Sequence, residues 1–145
     1  MIKTSEELNL KINGARLMTI EEFKEHEKAI PKVDVYWWLA DTDPCDEESV
    51  AYVEGKYFED EMYCYRDETN TWVRAVLDVE AEGLKVGDEF VFKGYVFTAL
   101  SDKLAISNNL QGMAKYYDES LLDYIYSDDE VTCTINNVLA NIFGF

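Results

Sequence analysis

The apolar run V-D-V-Y-W-W-L-A at residues 33–40 constrains the fold most, because it sets two tryptophans side by side. Neighbouring residues of a β-strand point to opposite faces of the sheet. Val35, Trp37 and Leu39 therefore share an apolar face, which predicts that Trp37 lies in the core. Trp38 lies on the opposite face of the same strand.

Capping and alternation patterns predict one helix followed by many strands. Thr19 and Glu22 form a T-x-x-E capping box, which predicts a helix from about Ile20 to Ala29. Strand-like runs follow, and Lys93-Gly94 marks the turn of a predicted hairpin. The predicted strands are Val35–Ala40, Val50–Val53, Tyr57–Tyr65 with interruptions, Trp72–Val79, Glu89–Phe92, Tyr95–Leu100 and residues 103–107. The run at 120–126 fits either a helical turn or a strand.

A second helix is predicted near the C-terminal end. Ser127 and Glu130 form another capping box, and the apolar residues after it recur at helical spacing. These apolar residues are Val131, Ile135, Val138, Leu139 and Ile142. Two helices that flank a body of short strands predict an α+β fold with an antiparallel twisted sheet, in a single domain over residues 1–145.

Several segments resemble a family of bacterial and phage domains that have a C-type-lectin-like fold related to the formylglycine-generating enzymes. They are A-R-L-M-T-I-E-E-F at 15–23, Y-W-W-L-A at 36–40, A-Y-V-E-G-K-Y at 51–57 and W-V-R-A-V-L-D-V at 72–79. Residues 86–100 are similar to the strand pair that begins that domain, so the two halves stand in the order of a circular permutation. The resemblance implies a central strand covered on both faces, with Trp38 buried as well. The E-P-N and W-N-D calcium motifs of sugar-binding lectins are absent, and the cysteine chemistry of the formylglycine enzymes has no recognisable counterpart, so the resemblance implies neither sugar binding nor catalysis.

The net charge is strongly negative for a domain of this size. It is −17, whereas a magnitude of about 2–8 is usual for a small soluble domain. Residues 1–32 hold six acids and six bases, so the whole excess comes from residues 33–145, which hold 24 acids and 7 bases. Such a field repels nucleic acid and anionic membranes, and it attracts basic partners. Direct nucleic-acid binding and membrane binding are therefore not expected.

Tyrosines lie among the acids in the most acidic segments. Residues 41–68 contain 11 acids and 2 bases, and the residues after Lys115 contain 6 acids and no base. Carboxylates pair with arginine and tyrosines anchor interfaces, so the pattern predicts a surface for a basic protein partner. The predicted partner-binding residues are Asp41, Asp43, Asp46, Glu47, Glu48, Tyr57, Glu59, Asp60, Glu61, Tyr63, Tyr65, Asp67, Glu68, Asp123, Asp128 and Asp129. The alternative interpretation is a solvated sheet edge whose charges prevent aggregation.

No catalytic residue, cofactor or metal site is predicted. The single histidine, His26, lies between two glutamates on the predicted surface helix, which favours a solvated side chain. No C-x-x-C pair, Gly-rich phosphate loop or G-x-S-x-G elbow is present, and the three cysteines favour reduced thiols in a cytoplasm. Asp41 and Asp43 begin like a calcium loop, but Pro44 follows, and neither the glycine nor the closing glutamate is in place.

A folded domain that displays carboxylates can occupy a groove lined with Lys and Arg for nucleic acid. In charge and size the chain looks like phage-encoded inhibitors of restriction or CRISPR nucleases. The sequence therefore predicts a non-catalytic DNA mimic of anti-CRISPR or anti-restriction type. The alternative hypothesis is a C-type-lectin-like module that binds a protein or glycan through its loops, with acidity serving only solubility. A third hypothesis, an enzyme that uses His26 or a cysteine, has no motif to support it.

Overall fold

The computed structural model describes residues 2–54, 63–65, 71–116, 123–127, 130–133, 139 and 142–144. Within them the α-helix α1 covers Ile20–His26 and continues as a 3-10 turn over Glu27–Ala29. The strands are β1 Lys3–Thr4, β2 Lys11–Arg16, β3 Tyr36–Asp43, β4 Asp46–Glu54, β5 Tyr63–Tyr65, β6 Thr71–Val73, β7 Val76–Glu80, β8 Glu89–Phe92, β9 Tyr95–Ala99, β10 Leu104–Ser107, β11 Gly112–Tyr116, β12 Asp123–Ser127 and β13 Glu130–Cys133. No helix in this part of the chain is long and apolar enough to cross a membrane.

The helix α1 begins at the predicted capping box. The Thr19 hydroxyl accepts a hydrogen bond from the Glu22 N–H, and the Glu22 carboxylate accepts one from the Thr19 N–H, each at 3.1 Å. These bonds satisfy backbone N–H groups that have no partner within the helix. Phe23 is the buried residue of α1, and its ring lies 5.8 Å from the Trp37 ring. The helix predicted over residues 20–29 is confirmed.

The strands form two mixed sheets, so the α+β class is confirmed and the single antiparallel sheet is wrong. One sheet has six strands in the order β1-β8-β9-β10-β7-β2. The other has seven, in the order β13-β12-β11-β6-β3-β4-β5. The pairs β1–β8 and β3–β6 are parallel, and the other described pairs are antiparallel.

The predicted strand Trp72–Val79 is two strands that belong to different sheets. β6 joins the seven-stranded sheet and β7 joins the six-stranded sheet, with Arg74 and Ala75 between them. The Ala75 N–H donates to the Gln111 side chain (2.8 Å), and the Ala75 carbonyl accepts from the Ser107 N–H (2.9 Å). The chain therefore crosses between the sheets while its backbone groups remain hydrogen-bonded.

Both tryptophans are buried, on opposite faces of β3. Trp38 is 0% exposed in a cluster that draws on both sheets, with Val50 from β4 and Leu77 from β7. Trp37 is 1% exposed in a second cluster that includes Phe23 of α1. The expectation of a central strand covered on both faces is confirmed.

The predicted hairpin at Lys93-Gly94 is confirmed. Lys93 (φ 52°) and Gly94 (φ 83°) both have positive φ, as a two-residue type I′ turn requires. β8 and β9 pair in antiparallel fashion on either side of this turn. Phe90 stacks on Phe97 across the pair, with 5.7 Å between the ring centroids.

The second predicted helix does not begin at its capping box. The prediction of two flanking helices is therefore wrong for the second helix. Ser127 ends β12, Glu130 begins β13, and the two residues pair across the end of a hairpin. An S-x-x-E spacing also fits a two-residue connection between strands. The tyrosines and β-branched residues on both sides favour strand over helix.

Helical backbone does occur towards the end of the second predicted helix, which included Leu139 and Ile142. Residues 139 and 142–143 are helical, and Leu139 and Phe143 are buried in the core cluster of Trp38. The Phe143 ring lies 5.7 Å from the Phe97 ring. The predicted apolar positions Ile135 and Val138 lie outside the described residues.

Candidate acidic protein interface

Charge is distributed unequally between the two sheets. The strands of the seven-stranded sheet contain eight acids and one base, Lys115, within their described bounds. The acids are Asp41, Asp43, Asp46, Glu47, Glu48, Glu54, Asp123 and Glu130. The strands of the six-stranded sheet contain three acids and three bases. The negative excess of the described strands therefore belongs to one sheet.

One end of the seven-stranded sheet brings the first group of predicted residues together. Asp43 pairs with Asp46 where the β3–β4 hairpin closes, and Glu47 and Glu48 follow directly in β4. The edge strand β5 pairs with β4, which aligns Tyr65 with Ser49 and Tyr63 with Ala51. The backbone thus places four acids and two tyrosines on three adjacent strands.

Asp123 lies far from this group. It belongs to β12, and β11, β6 and β3 separate β12 from β4 in the sheet order. Four inter-strand steps correspond to about 19 Å along the sheet. The fold therefore places the two acidic segments on one sheet without joining them into one patch. The remaining predicted residues, Tyr57, Glu59, Asp60, Glu61, Asp67, Glu68, Asp128 and Asp129, lie outside the described residues.

Two of the predicted carboxylates make local hydrogen bonds. The Asp41 Oδ1 accepts from the Ile20 N–H at the start of α1 (2.8 Å). The Asp43 Oδ1 accepts from the Cys45 N–H within the hairpin turn (2.9 Å). A negative side chain at a helix N-terminus is stabilising, because it accepts a hydrogen bond from a free N–H and interacts favourably with the positive end of the helix dipole. Asp41 therefore has a structural role besides its contribution to the surface charge.

Sequence reasoning missed a charged cluster centred on Arg16. Its guanidinium makes two hydrogen bonds to Glu22, each at 2.7 Å, and two to Asp78, each at 3.0 Å. The hydrogen bonds from Arg16 lower the pKa of Glu22 to about 2. The bonds from Glu22 in turn raise the pKa of Arg16 above its ordinary value. Bidentate pairs between an arginine and a carboxylate are among the stronger ion pairs. Through Arg16 of β2, the cluster links Glu22 of α1 to Asp78 of β7.

A second missed feature is the buried Arg74. It is 0% exposed, its Nε–H donates to the Ser107 carbonyl and its Nη2–H donates to the Pro31 carbonyl, each at 2.7 Å. The guanidinium carbon lies 4.9 Å from the centre of the Trp37 ring. Burial lowers the pKa of Arg74 to about 10. The only sequence indication was a charged residue inside the apolar run Trp72–Val79.

The histidine and the cysteine whose side chains are described lie on separate elements, α1 and the β3–β4 turn. His26 ends α1 with its side chain 16% exposed and 3.6 Å from Glu25, so it is partly buried and not fully solvated. Cys45 is a free, exposed cysteine in the β3–β4 turn. No three His, Cys, Asp or Glu side chains among the described residues are grouped as a metal site.

Comparisons with protein-family models, curated proteins and solved structures give no match for this chain.

Proposed function

We propose that this protein is a non-catalytic inhibitor that binds the basic nucleic-acid groove of a host enzyme by mimicking the charge of DNA. The observation that supports the proposal is the unequal distribution of charge. Eight acids and one base lie on the described strands of the seven-stranded sheet, against three of each on the other sheet. An acidity that served solubility alone has no reason to favour one sheet.

The structure of the acidic end suits recognition of a basic protein. Asp43 and Asp46 pair across the closed end of the β3–β4 hairpin, and Glu47 and Glu48 follow in β4 at a register shift, so the paired strands on both sides limit the positions of the four acids before a partner arrives. A pre-organised surface loses less conformational entropy on binding than a flexible acidic tail does. Duplex DNA also presents rows of closely spaced negative charges, and a groove built for it is lined with Lys and Arg.

The partner class follows from this chemistry. A nuclease of the restriction or CRISPR type has a groove for duplex DNA or a guide heteroduplex that is rich in basic side chains. An inhibitor of such an enzyme acts in the cytoplasm of the host cell. In this proposal the C-type-lectin-like fold, with its permuted order, serves only as a scaffold. The predicted binding depends on the charge that the scaffold displays.

A competition assay tests the proposal. Labelled duplex DNA is bound to each enzyme of a purified panel of restriction and CRISPR nucleases, and the protein is added at increasing concentration. The triple variant Asp46→Asn, Glu47→Gln, Glu48→Gln removes three charges from the acidic hairpin. We expect the wild type to displace DNA from at least one nuclease, and the variant to need at least a tenfold higher concentration.

A matched control separates local recognition from net charge. Glu80→Gln, Glu82→Gln, Asp102→Asn removes the same number of charges at exposed positions outside the seven-stranded sheet. We expect this variant to compete almost as well as the wild type. Equal loss in both triple variants contradicts a defined acidic surface, and no displacement from any enzyme of the panel contradicts the DNA-mimic function for that class.

A further inference from the structure

A small recess lies beside the buried arginine, away from the acidic hairpin. It has room for about 10 Å³, the size of one water-sized group. Phe23, Glu27, Ile30, Pro31, Lys32, Trp37, Val53 and Arg74 line it. The recess therefore lies where α1 and its 3-10 turn meet β3 and β4.

Three of the eight residues that line the recess carry side-chain hydrogen-bond donors, four are apolar, and Glu27 is an acid. The Trp37 indole Nε1 is buried and has no hydrogen-bond partner among the described residues. A guanidinium has five N–H donors, and two backbone carbonyls, those of Ser107 and Pro31, accept from Arg74. Lys32 adds a second cation to the lining. A buried, unpaired donor costs about 1–3 kcal/mol, so this arrangement favours an acceptor in the recess.

The Arg74 charge also has no counter-ion among the described acids. A buried charge without a partner costs several kcal/mol, because its hydration is lost and nothing replaces it. The ring of Trp37 and two carbonyl dipoles offset part of that cost. A water molecule in the recess accepts hydrogen bonds from these donors but brings no charge to offset that of Arg74.

We propose that this recess is a binding site for a single small anion of chloride size, which accepts hydrogen bonds from the Trp37 indole and the Arg74 guanidinium. The anion supplies the acceptor that the indole lacks and the counter-charge that the guanidinium lacks. Because the recess has room for only about 10 Å³, a monatomic anion fits it better than a polyatomic anion such as sulfate. Its occupation stabilises the packing of α1 on β3, independently of any partner on the acidic surface.

Thermal unfolding at constant ionic strength tests the site. The full chain is heated in sodium gluconate, in which chloride replaces gluconate stepwise, so that screening of the net charge stays the same. We expect the melting temperature to rise by roughly 2–4 °C with a saturable dependence on chloride, and bromide to act similarly. The proposal is overturned if the melting temperature is the same in gluconate and in chloride. It is also overturned if the melting temperature rises with chloride without saturating.

Variants separate specific binding from general salt effects. Trp37→Phe keeps the ring but removes the indole N–H, so we expect the apparent chloride affinity to fall at least tenfold while the protein still folds. A chloride response in Trp37→Phe equal to that of the wild type overturns the proposal. Glu27→Gln keeps the shape of the recess wall and removes its acid. An unchanged or tighter chloride response supports the anion site, whereas a lost response in Glu27→Gln contradicts it.

Discussion

Asp41 on strand β3 accepts a hydrogen bond from the backbone N–H of Ile20, the first residue of helix α1, at 2.8 Å. Ala40, the preceding residue of β3, donates its N–H to the Met18 carbonyl at 2.7 Å. The central strand therefore holds the chain on both sides of Thr19, where the helix begins. The first acid of the acidic segment stabilises the fold, and the acids after it on the hairpin are the ones we propose for the partner.

Replacing Asp41 separates these roles. We expect Asp41→Ala to lower the free energy of unfolding by about 1–2 kcal/mol, because the Ile20 N–H loses its charged acceptor. Asp41→Asn keeps an acceptor oxygen and should lose less than half as much. Urea unfolding measures both. Full stability in Asp41→Ala contradicts the structural role.

Glu22 predicts a pH dependence of stability. Its pKa is lowered from 4.5 to about 2 in the folded chain by the hydrogen bonds from Arg16. Because the folded-state pKa lies below the unfolded value of 4.5, the ionised Glu22 carboxylate stabilises the fold at pH values above 4.5. This stabilisation is lost as the pH falls from 4.5 towards 2. Since the Arg16 side chain is 37% exposed, we expect a contribution of about 1–2 kcal/mol after solvent screening.

The difference between wild type and Glu22→Gln isolates this contribution, because the titration of the other acids is common to both proteins. Urea unfolding at about pH 6 and about pH 3 should show a smaller wild-type advantage at the lower pH. Glu21→Gln, an exposed position in the same helical turn, is the control and should show no such trend. A wild-type advantage over Glu22→Gln that is equal at both pH values contradicts the assignment.

Local patterns predicted those elements whose causes lie within a few residues. The α1 capping box joins residues three apart, and the Lys93-Gly94 turn needs only two residues with positive φ. The same logic failed at Ser127 and Glu130, because their spacing fits both a capping box and a two-residue hairpin connection. Only the pairing of β12 with β11 and β13 decides between these structures, and that pairing is not local.

Long-range contacts explain what the sequence could not predict. Arg16 and Asp78 are 62 positions apart, and Arg74 and Ser107 are 33 apart, so no spacing rule relates them. The break at Arg74 and Ala75 depends on Ser107 and Gln111 from another part of the chain. For the candidate interface, composition predicted which segments are acidic. It could not show that the segments 41–48 and 123–127 lie at opposite ends of one sheet.

Burial of both faces of β3 predicts that Trp38 matters as much as Trp37. We expect Trp38→Ala to cost about 3–5 kcal/mol, because a fully buried aromatic side chain leaves a cavity between the sheets. Val86→Ala, at a side chain that is 62% exposed, should change the stability by less than about 0.5 kcal/mol. Chemical denaturation measures both. If Trp38→Ala does not fold, Trp38→Phe gives a smaller loss of the same sign, and a neutral Trp38→Phe contradicts the two-sided core.

Salt dependence provides the strictest test of charge mimicry. If carboxylates of the β3–β4 hairpin pair with Lys and Arg in a partner groove, the affinity should fall linearly on a log–log plot against salt. For three or four ion pairs we expect roughly 40-fold to 150-fold weaker binding between about 50 and 200 mM salt. The triple variant at Asp46, Glu47 and Glu48 should show a clearly shallower slope, and the triple variant at Glu80, Glu82 and Asp102 should keep the wild-type slope. Equal slopes in all three proteins mean that the hairpin carboxylates do not contact the partner, even if the protein displaces DNA.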